Sequence, residues 1–492
     1  MKILDQEIVS EFYEKLRHQH VLVLAAWDVD SVCACKILQY LFKSDNIAYT
    51  LIPVSDIRDL QKALIDHSGQ SSKVVLINCG GGVNIHELIE SDERNQFFII
   101  DSYRPLEIDN IYSPEQVNVV IDESEHLKFP EYDEIYASDM DSDDEGEGPS
   151  NEEFYYEGEE EEEEDEGPDT KRRRLAESFQ KRRKKVVWKK NRQQVLLEYN
   201  GLSYHGTAAS ILMYQLALKM SRDSNEVLWW SIIGLTEQYL YEKISSDSYT
   251  EKVHTLRPDV LRLNRNDQDT ASSINRLRLT LENELPAVLY RHWSLYDSLS
   301  HSQYISCWFK TWSMRGHKKF LEFLADMGLP LSQSKQPYSA MDASIQENVK
   351  DWITSSALKF GMDNITYSSF VSHIGYKHHF SAADMVYCVS AFLENNVEPS
   401  FLSAIDVLSK GNVKKIFEGI ELAKQQQKAI IQQARSFTEK HRVGCAGSFM
   451  YFYVEENTPN CSWFVSPITL KRLAYYLRET WNTTNRKAKD LP

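Results

Sequence analysis

Val21–Ala26, VLVLAA, is an unbroken apolar run, and no other feature limits the fold as strongly. A strand with six apolar residues has no face for solvent, so both faces must be covered, as in a parallel sheet layered between helices. The chain continues in that manner to about residue 125. A helix is expected over Ser31–Phe42, a strand over Ala48–Val54, a helix over Ile57–Asp66 and a strand over Lys73–Asn78. A short helix after Gly82 and strands at Phe97–Asp101 and Val117–Ile121 complete the series. Strand, helix, strand at this spacing implies right-handed crossovers and a mainly parallel sheet. Such apolar runs are too short to span a bilayer. The opening MKILDQEIVSEF carries acids and no long apolar stretch, so a secretory signal is not expected. The expectation is a soluble intracellular protein with no membrane partner.

The net charge of −18 has one source. Asp139–Asp169 holds 18 acidic residues and no Lys or Arg; outside it, 55 acids face 55 bases. Such a segment has no hydrophobic face to bury and is expected to stay solvated and disordered. Directly behind it, Lys171–Arg192 carries 12 bases and one acid, without Gly or Pro, which reads as a long solvated helix. Amphipathic patterning returns at Gly206–Met220 and Glu226–Tyr241, and Ser245–Ser381 reads as almost wholly helical. Beyond it, helices are expected at Ala382–Leu393 and Asn412–Lys440, a strand pair at Ser448–Val454 and Ser462–Val465, and a helix at Thr469–Trp481. Seven cysteines without a CxxC pair read as reduced thiols. Cys33 and Cys35 read as core packing.

Ligands in open parallel sheets bind beyond the carboxyl ends of the strands. Asp28 and Asp30 follow the first apolar strand, Asn78 the third and Asp101 the fourth. Clustered carboxylates suit hard divalent cations, and a pair of such ions activates water against a phosphodiester. An Asp between strand and helix is equally an N-cap. Gly80–Gly82 is either a phosphate cradle or a tight turn, without the GxGxxG spacing.

The order WDVDSV, LINCGGG, DSY, HGTAASILMYQLA and IIGLTEQYL resembles the DHH phosphoesterase superfamily, which includes the RecJ nucleases. That resemblance retains Asp28, Asp30 and Asp101 and departs at three positions. Asn78 stands for an aspartate, Tyr103 for a histidine and Glu237 for an aspartate. With EVLWWSIIGLTEQ, LYRHWSLYDSL, FLADMGLPL and ELAKQQQKA in the same order, the chain is similar to the cell division control protein 45 family over nearly its whole length. The resemblance implies an α/β fold with a mainly parallel DHH-type domain (1–137 and 200–244), interrupted by an acidic insert (138–170) and a basic helix (171–199). A helical interaction domain (245–385) and a smaller α/β, DHHA1-like C-terminal domain (386–492) follow. The last looks truncated, because the family continues with further strands after RKAKDLP.

What the resemblance implies for function is a nuclear replication factor acting at initiation and elongation. It would be a non-catalytic scaffold joining the minichromosome maintenance ring to the GINS complex. It would need no cofactor, and the same resemblance implies single-stranded DNA in the old cleft and the DNA polymerase machinery as further partners. The rival reading is an active Mn²⁺-dependent, RecJ-like single-strand exonuclease.

Two basic clusters, Lys171, Arg172, Arg173 and Arg174, then Lys181, Arg182, Arg183, Lys184 and Lys185, suit a bipartite nuclear localisation signal. A solvated helix and a nucleic-acid contact are the alternatives. Ser138–Asp143 has the pattern of an acid-directed phosphorylation site. His378-His379 reads as surface or capping chemistry rather than metal ligation. Trp308, Trp312, Phe320 and Phe323 are either core or interface.

Overall fold

The computed structural model describes residues 2–484, apart from 5–6, 68–70, 89–94, 113–115, 126–127, 137–167, 267–276, 364, 376–377, 396–399 and 448. Most of the acidic segment and its phosphorylation pattern therefore lie outside the described residues.

Six strands form the expected parallel sheet. They are β1 (Lys2–Leu4), β2 (Val21–Ala26), β3 (Tyr49–Val54), β4 (Lys73–Ile77), β5 (Gln96–Ile100) and, after the two-residue β6 (Tyr103–Arg104), β7 (Val117–Ile121). Their order is β1-β7-β5-β4-β2-β3, every pair parallel. The alternation of side chains across the pleat divides each apolar run between two cores. Val21, Val23 and Ala25 face one core with Val75, Ile77, Phe98 and Ile100; Leu22 and Leu24 face the other with Val74, Leu76, Phe97 and Ile99. The smaller core is closed by the Ile57–His67 helix through Leu60, Ala63 and Leu64. The larger is closed by helices Val29–Asp45, Ala209–Lys219 and Asn225–Leu240, and extends to Ala382–Leu393. Cys33 and Cys35 are buried thiols within it.

The basic block lies on one 33-residue helix, Pro168–Asn200. It is followed by β8 (Tyr204–His205), which pairs antiparallel with β6.

The stretch 245–381 is not wholly helical. Strands β9 (Leu277–Glu284), β10 (Tyr367–Ile374) and β11 (His378–Ser381) form an antiparallel sheet in the order β11-β10-β9. In β9 the apolar Leu277 and Leu279 alternate with Arg278 and Thr280, which is strand patterning; its partner lies far along the chain, with Leu281 opposite Phe370. The helices between them pack around Phe309, Phe320 and Phe323 as a separate core.

The C-terminal strand pair also differs from expectation. It forms from β12 (Gly444–Ala446) and β13 (Phe449–Tyr451), whereas Cys461–Phe464 is a single 3₁₀ turn that buries Trp463 and Phe464. The last helix is Pro467–Thr484. Among the described residues, no helix is long and apolar enough to cross a membrane.

Candidate functional site

Asp28, Asp30, Asn78 and Asp101 do meet at the carboxyl edge of the parallel sheet, but their lone pairs are largely occupied. Asp28 caps the Val29–Asp45 helix, its Oδ1 accepting the Ser31 amide at 2.7 Å. Asp30 is buried and accepts four hydrogen bonds. They come from the Ala209 amide (2.8 Å), the Ser210 amide (3.0 Å), Ser210 Oγ (2.6 Å) and Asn78 Nδ2 (3.0 Å). Its charge thus sits at the amino end of the Ala209–Lys219 helix, where free N–H groups and the helix dipole favour an anion. Burial and then the Asp28 charge raise the Asp30 pKa, against the pull of the Ser210 and Asn78 hydrogen bonds.

Asn78 is pinned at both ends of its amide. Its Nδ2 donates to Asp30, and its Oδ1 accepts the Ser102 amide at 3.0 Å. Asp101 is buried and accepts the amides of Gly81 (2.7 Å) and Tyr103 (2.8 Å). Burial lifts its carboxyl above the ordinary range, with those two amides and Arg104 opposing. A Cβ on Gly81 would lie 2.7 Å from Asp101 Oδ2, so Gly80–Gly82 is a tight turn fitted against that carboxylate.

Tyr103 is 42% exposed. Across the β6–β8 pair it meets His205 edge-on, with ring centroids 5.9 Å apart. His205 thus arrives from the second segment of the domain, and sequence reasoning did not single it out. Burial, helped by the charges of Lys243 and Lys471, depresses its pKa to about 4. Two further groups were missed. Asp122 follows β7 as Asp101 follows β5, a place the strand-end rule covers; it accepts Thr207 Oγ1 at 2.9 Å. The buried Arg104 holds Glu125 at 2.8 Å.

Glu237 and Lys243 change the character of the cleft. Glu237 is 1% exposed on the Asn225–Leu240 helix, and Lys243 Nζ lies 2.8 Å from its Oε1. Burial raises the Glu237 pKa to about 7 against the attraction of Lys243, with Asp28 and Asp30 adding repulsion. Burial disfavours the Lys243 charge, but Glu237, Asp28 and Asp30 outweigh it and hold the ammonium above its ordinary range. Nothing local in TEQYLYEK marks Lys243, which reaches the cleft because the chain turns back after the helix.

This donor set does not fit a pair of divalent ions. Hard cations need several free carboxylate oxygens at about 2.0–2.6 Å. Here Asp30 and Asp101 are spent on backbone amides, Asn78 is neutral, and an ammonium stands beside Glu237. Among the described residues, no group of three or more His, Cys, Asp or Glu is placed to hold a metal ion.

The other sequence candidates lie elsewhere. Arg183 and Lys184 are exposed and Lys185 half-buried on the long helix, whereas the side chains of Lys171–Arg174, Lys181 and Arg182 lie outside the description. His378 and His379 sit on β11, not in a helix, and His379 pairs across the strands with His373. Phe320 and Phe323 are core, Trp312 packs against the C-terminal cluster, and Trp308 is 45% exposed.

A parallel sheet whose strand-end carboxylates hold the start of the Ala209–Lys219 helix in place defines an α/β protein. The CDC45 family's sequence model matches residues 21–400 and 395–492. The cell division control protein 45 homolog of Homo sapiens is 38% identical over 498 residues, spanning 98% of this chain and 85% of that protein. That of Dictyostelium discoideum is 30% identical over 553 residues, covering 96% and 85%. The crystal structure of CDC45 from Entamoeba histolytica shares the fold, with a TM-score of 0.71 at 20% identity over 99% of this chain and 84% of that one. This chain belongs to the CDC45 family.

Proposed function

We propose that this chain is a DNA-replication factor of the nucleus that works as a non-catalytic scaffold. Its partners are the minichromosome maintenance ring and the GINS complex, which it joins within the replicative helicase. Contacts to single-stranded DNA and to the polymerase machinery belong to the same reading. The observation that carries the non-catalytic part is the state of the strand-end carboxylates. Asp30 and Asp101 are buried against backbone amides, and Lys243 is paired with Glu237. Family membership over nearly the whole chain supports the replication role. A cleft in which fixed hydrogen bonds have replaced open coordination keeps its shape without the Lewis acid that would activate water.

The test pairs chemistry with rescue. Asp28→Asn keeps a good helix cap and removes a ligand charge. The purified wild type should leave a labelled single strand intact in Mn²⁺ and should co-purify with the minichromosome maintenance ring and GINS. In cells depleted of the protein, Asp28→Asn should restore DNA synthesis as well as the wild type does. Mn²⁺-dependent cleavage that disappears in Asp28→Asn would replace the scaffold with a nuclease. Absence of both partners from the purified complex would remove the bridging role.

A further inference from the structure

The adjacent histidines His378 and His379 lie on a strand that has one side free. β11 is the last strand of its sheet, and among the described residues no strand pairs with its outer side. Its side chains divide between two faces. His378 and Phe380 share one, with ring centroids 6.3 Å apart. His379 takes the other, its Nδ1 lying 2.5 Å from Nδ1 of His373 on β10. His378, His379 and Phe380 nevertheless line the same open cavity, of about 810 Å³. A cavity bordered by both faces of an edge strand passes around the free edge. Its neighbouring wall is the Val413–Glu439 helix, which brings Phe417, Ile420 and Lys424 to it at helical spacing. Phe417 is 40% exposed and meets His378 and Phe380 edge-on, its centroid 5.7 Å from each.

The outer side of an edge strand offers a row of backbone N–H and C=O groups, repeating at about 3.4 Å per residue. A small solute meets single groups of such a row; another extended backbone meets all of them. Charge decides what the side chains of that backbone should be. Of the carboxylates bordering the cavity, Glu282 is held by Lys350 at 3.2 Å, Glu421 is held by Lys424 at 2.5 Å, and Glu347 is exposed. Arg291 is spent on Glu284, at 2.5 Å. On the His379 face this leaves the imidazole pair, with His373 Nε2 within 2.8 Å of Thr280 Oγ1 and 3.9 Å from the neutralised Glu282. Imidazole N–H groups that can also take up a proton suit a carboxylate. The other face, with Phe417, Phe380 and Ile420, suits apolar side chains.

We propose that this cavity is a docking groove for an extended peptide of a partner protein, which adds a fourth strand outside β11 and carries the order apolar, acidic, apolar. The acidic residue stands opposite His379. The apolar residues on either side of it stand opposite His378 and Phe380 and pack on Phe417 and Ile420. Main-chain hydrogen bonds supply affinity in this mode of recognition, and alternate side chains supply specificity. The groove goes beyond the scaffold reading without resting on it, because binding a peptide here requires neither the minichromosome maintenance ring nor GINS.

The experiment uses the full chain and fluorescent synthetic peptides with the central order Leu-Asp-Phe, Leu-Glu-Phe or Ile-Asp-Tyr. Binding is read by polarisation, and hydrogen exchange is followed at the amides of 378–381. At least one of these peptides should bind saturably and slow that exchange. Successive N–H groups of a strand point to opposite sides, so methylating the backbone nitrogen of the acidic residue or of the one after it should have unequal effects. The methyl group that faces β11 should weaken binding about tenfold. His379→Glu, at an exposed position, should weaken the acidic peptide several-fold and reverse the preference in favour of Leu-Lys-Phe. Phe417→Ala should weaken both. If Phe417→Ala does not fold, the charge reversal at His379 decides alone. Failure of all three peptides to bind, binding that leaves 378–381 unprotected, or an unchanged preference in His379→Glu would overturn the proposal. Protection of 378–381 that grows with protein concentration in the absence of peptide would give the groove to a second copy of this chain, and would overturn it as well.

Discussion

Asp30 shows what has become of the cluster. Its four hydrogen bonds join the first turn of the Val29–Asp45 helix to Asn78 at the end of β4 and to the start of a helix 179 residues further along. Removing the carboxylate strands those donors in a buried site, at about 1–3 kcal/mol for each one left unsatisfied. Asp30→Ala is therefore expected to lower unfolding stability in urea by at least about 3 kcal/mol. A loss below about 1 kcal/mol would mean that water replaces the carboxylate. His205 gives a pH-dependent counterpart. Its pKa in the folded protein, about 4, lies below the ordinary histidine value of 6.5. Its stabilising contribution is therefore complete above about pH 6.5 and is lost as the pH falls towards about 4, where the unfolded chain has already taken up the proton. Replacing it with glutamine should flatten the melting temperature over that window. An unchanged slope in His205→Gln would assign the acid sensitivity to other groups. The sequence already offered Asp28, Asp30, Asn78 and Asp101 through their places after apolar strands. It did not offer His205 or Lys243, whose positions depend on two distant segments closing on one edge.

At the scale of elements, the last helix is tied to the body of the molecule by a buried carboxylate. Glu394 is 1% exposed and accepts the Ile468 amide (2.7 Å), the Thr469 amide (3.1 Å) and Gln426 Nε2 (2.9 Å), besides a hydroxyl hydrogen bond from Thr469. Burial lifts its carboxyl, and the hydrogen bonds led by Thr469 oppose that rise. The negative charge at the amino end of Pro467–Thr484 follows the same dipole logic as Asp30. Glu394→Ala should release this helix locally, so limited proteolysis should cut within 467–484 first, several-fold faster than in the wild type. Cleavage at an unchanged rate would show that the packing of Leu473, Tyr476 and Leu477 holds the helix alone. The same scale shows why β9 and β10 escape a linear reading. They are eight residues each, lie among helices, and pair with each other across some ninety residues, as in the pairing of Thr280 with Val371. No turn joins β9 to β10; the one local signal in that sheet is Gly375, at positive φ between the antiparallel neighbours β10 and β11. Cys461–Phe464 fails in the opposite sense, its apolar run being short enough to close as a turn over the C-terminal core.

For the whole molecule, the opposed charge blocks matter more than the net charge. The basic helix presents Arg183 and Lys184 to solvent, and the nuclear reading proposed above would have an import receptor bind there. Replacing Lys181–Lys185 with alanines should abolish nuclear enrichment, and a reporter fused to 171–185 should enter the nucleus unaided. Retained enrichment of the substituted protein, together with an excluded reporter, would remove the signal. What the sequence determined by itself is whatever neighbours in the chain can encode. That includes the buried parallel strands, written as unbroken apolar runs, the helices between them, and the family, carried by motifs in a fixed order. What only the tertiary structure decided is the state of the cleft. A strand-end aspartate can bind a metal or cap a helix, and the local sequence is the same in both cases. The outcome depends on which distant donors arrive. Here the Ala209 and Ser210 amides reach Asp30, and Lys243 turns back onto Glu237, because the hydrophobic faces of the Ala209–Lys219 and Asn225–Leu240 helices have no other surface on which to bury.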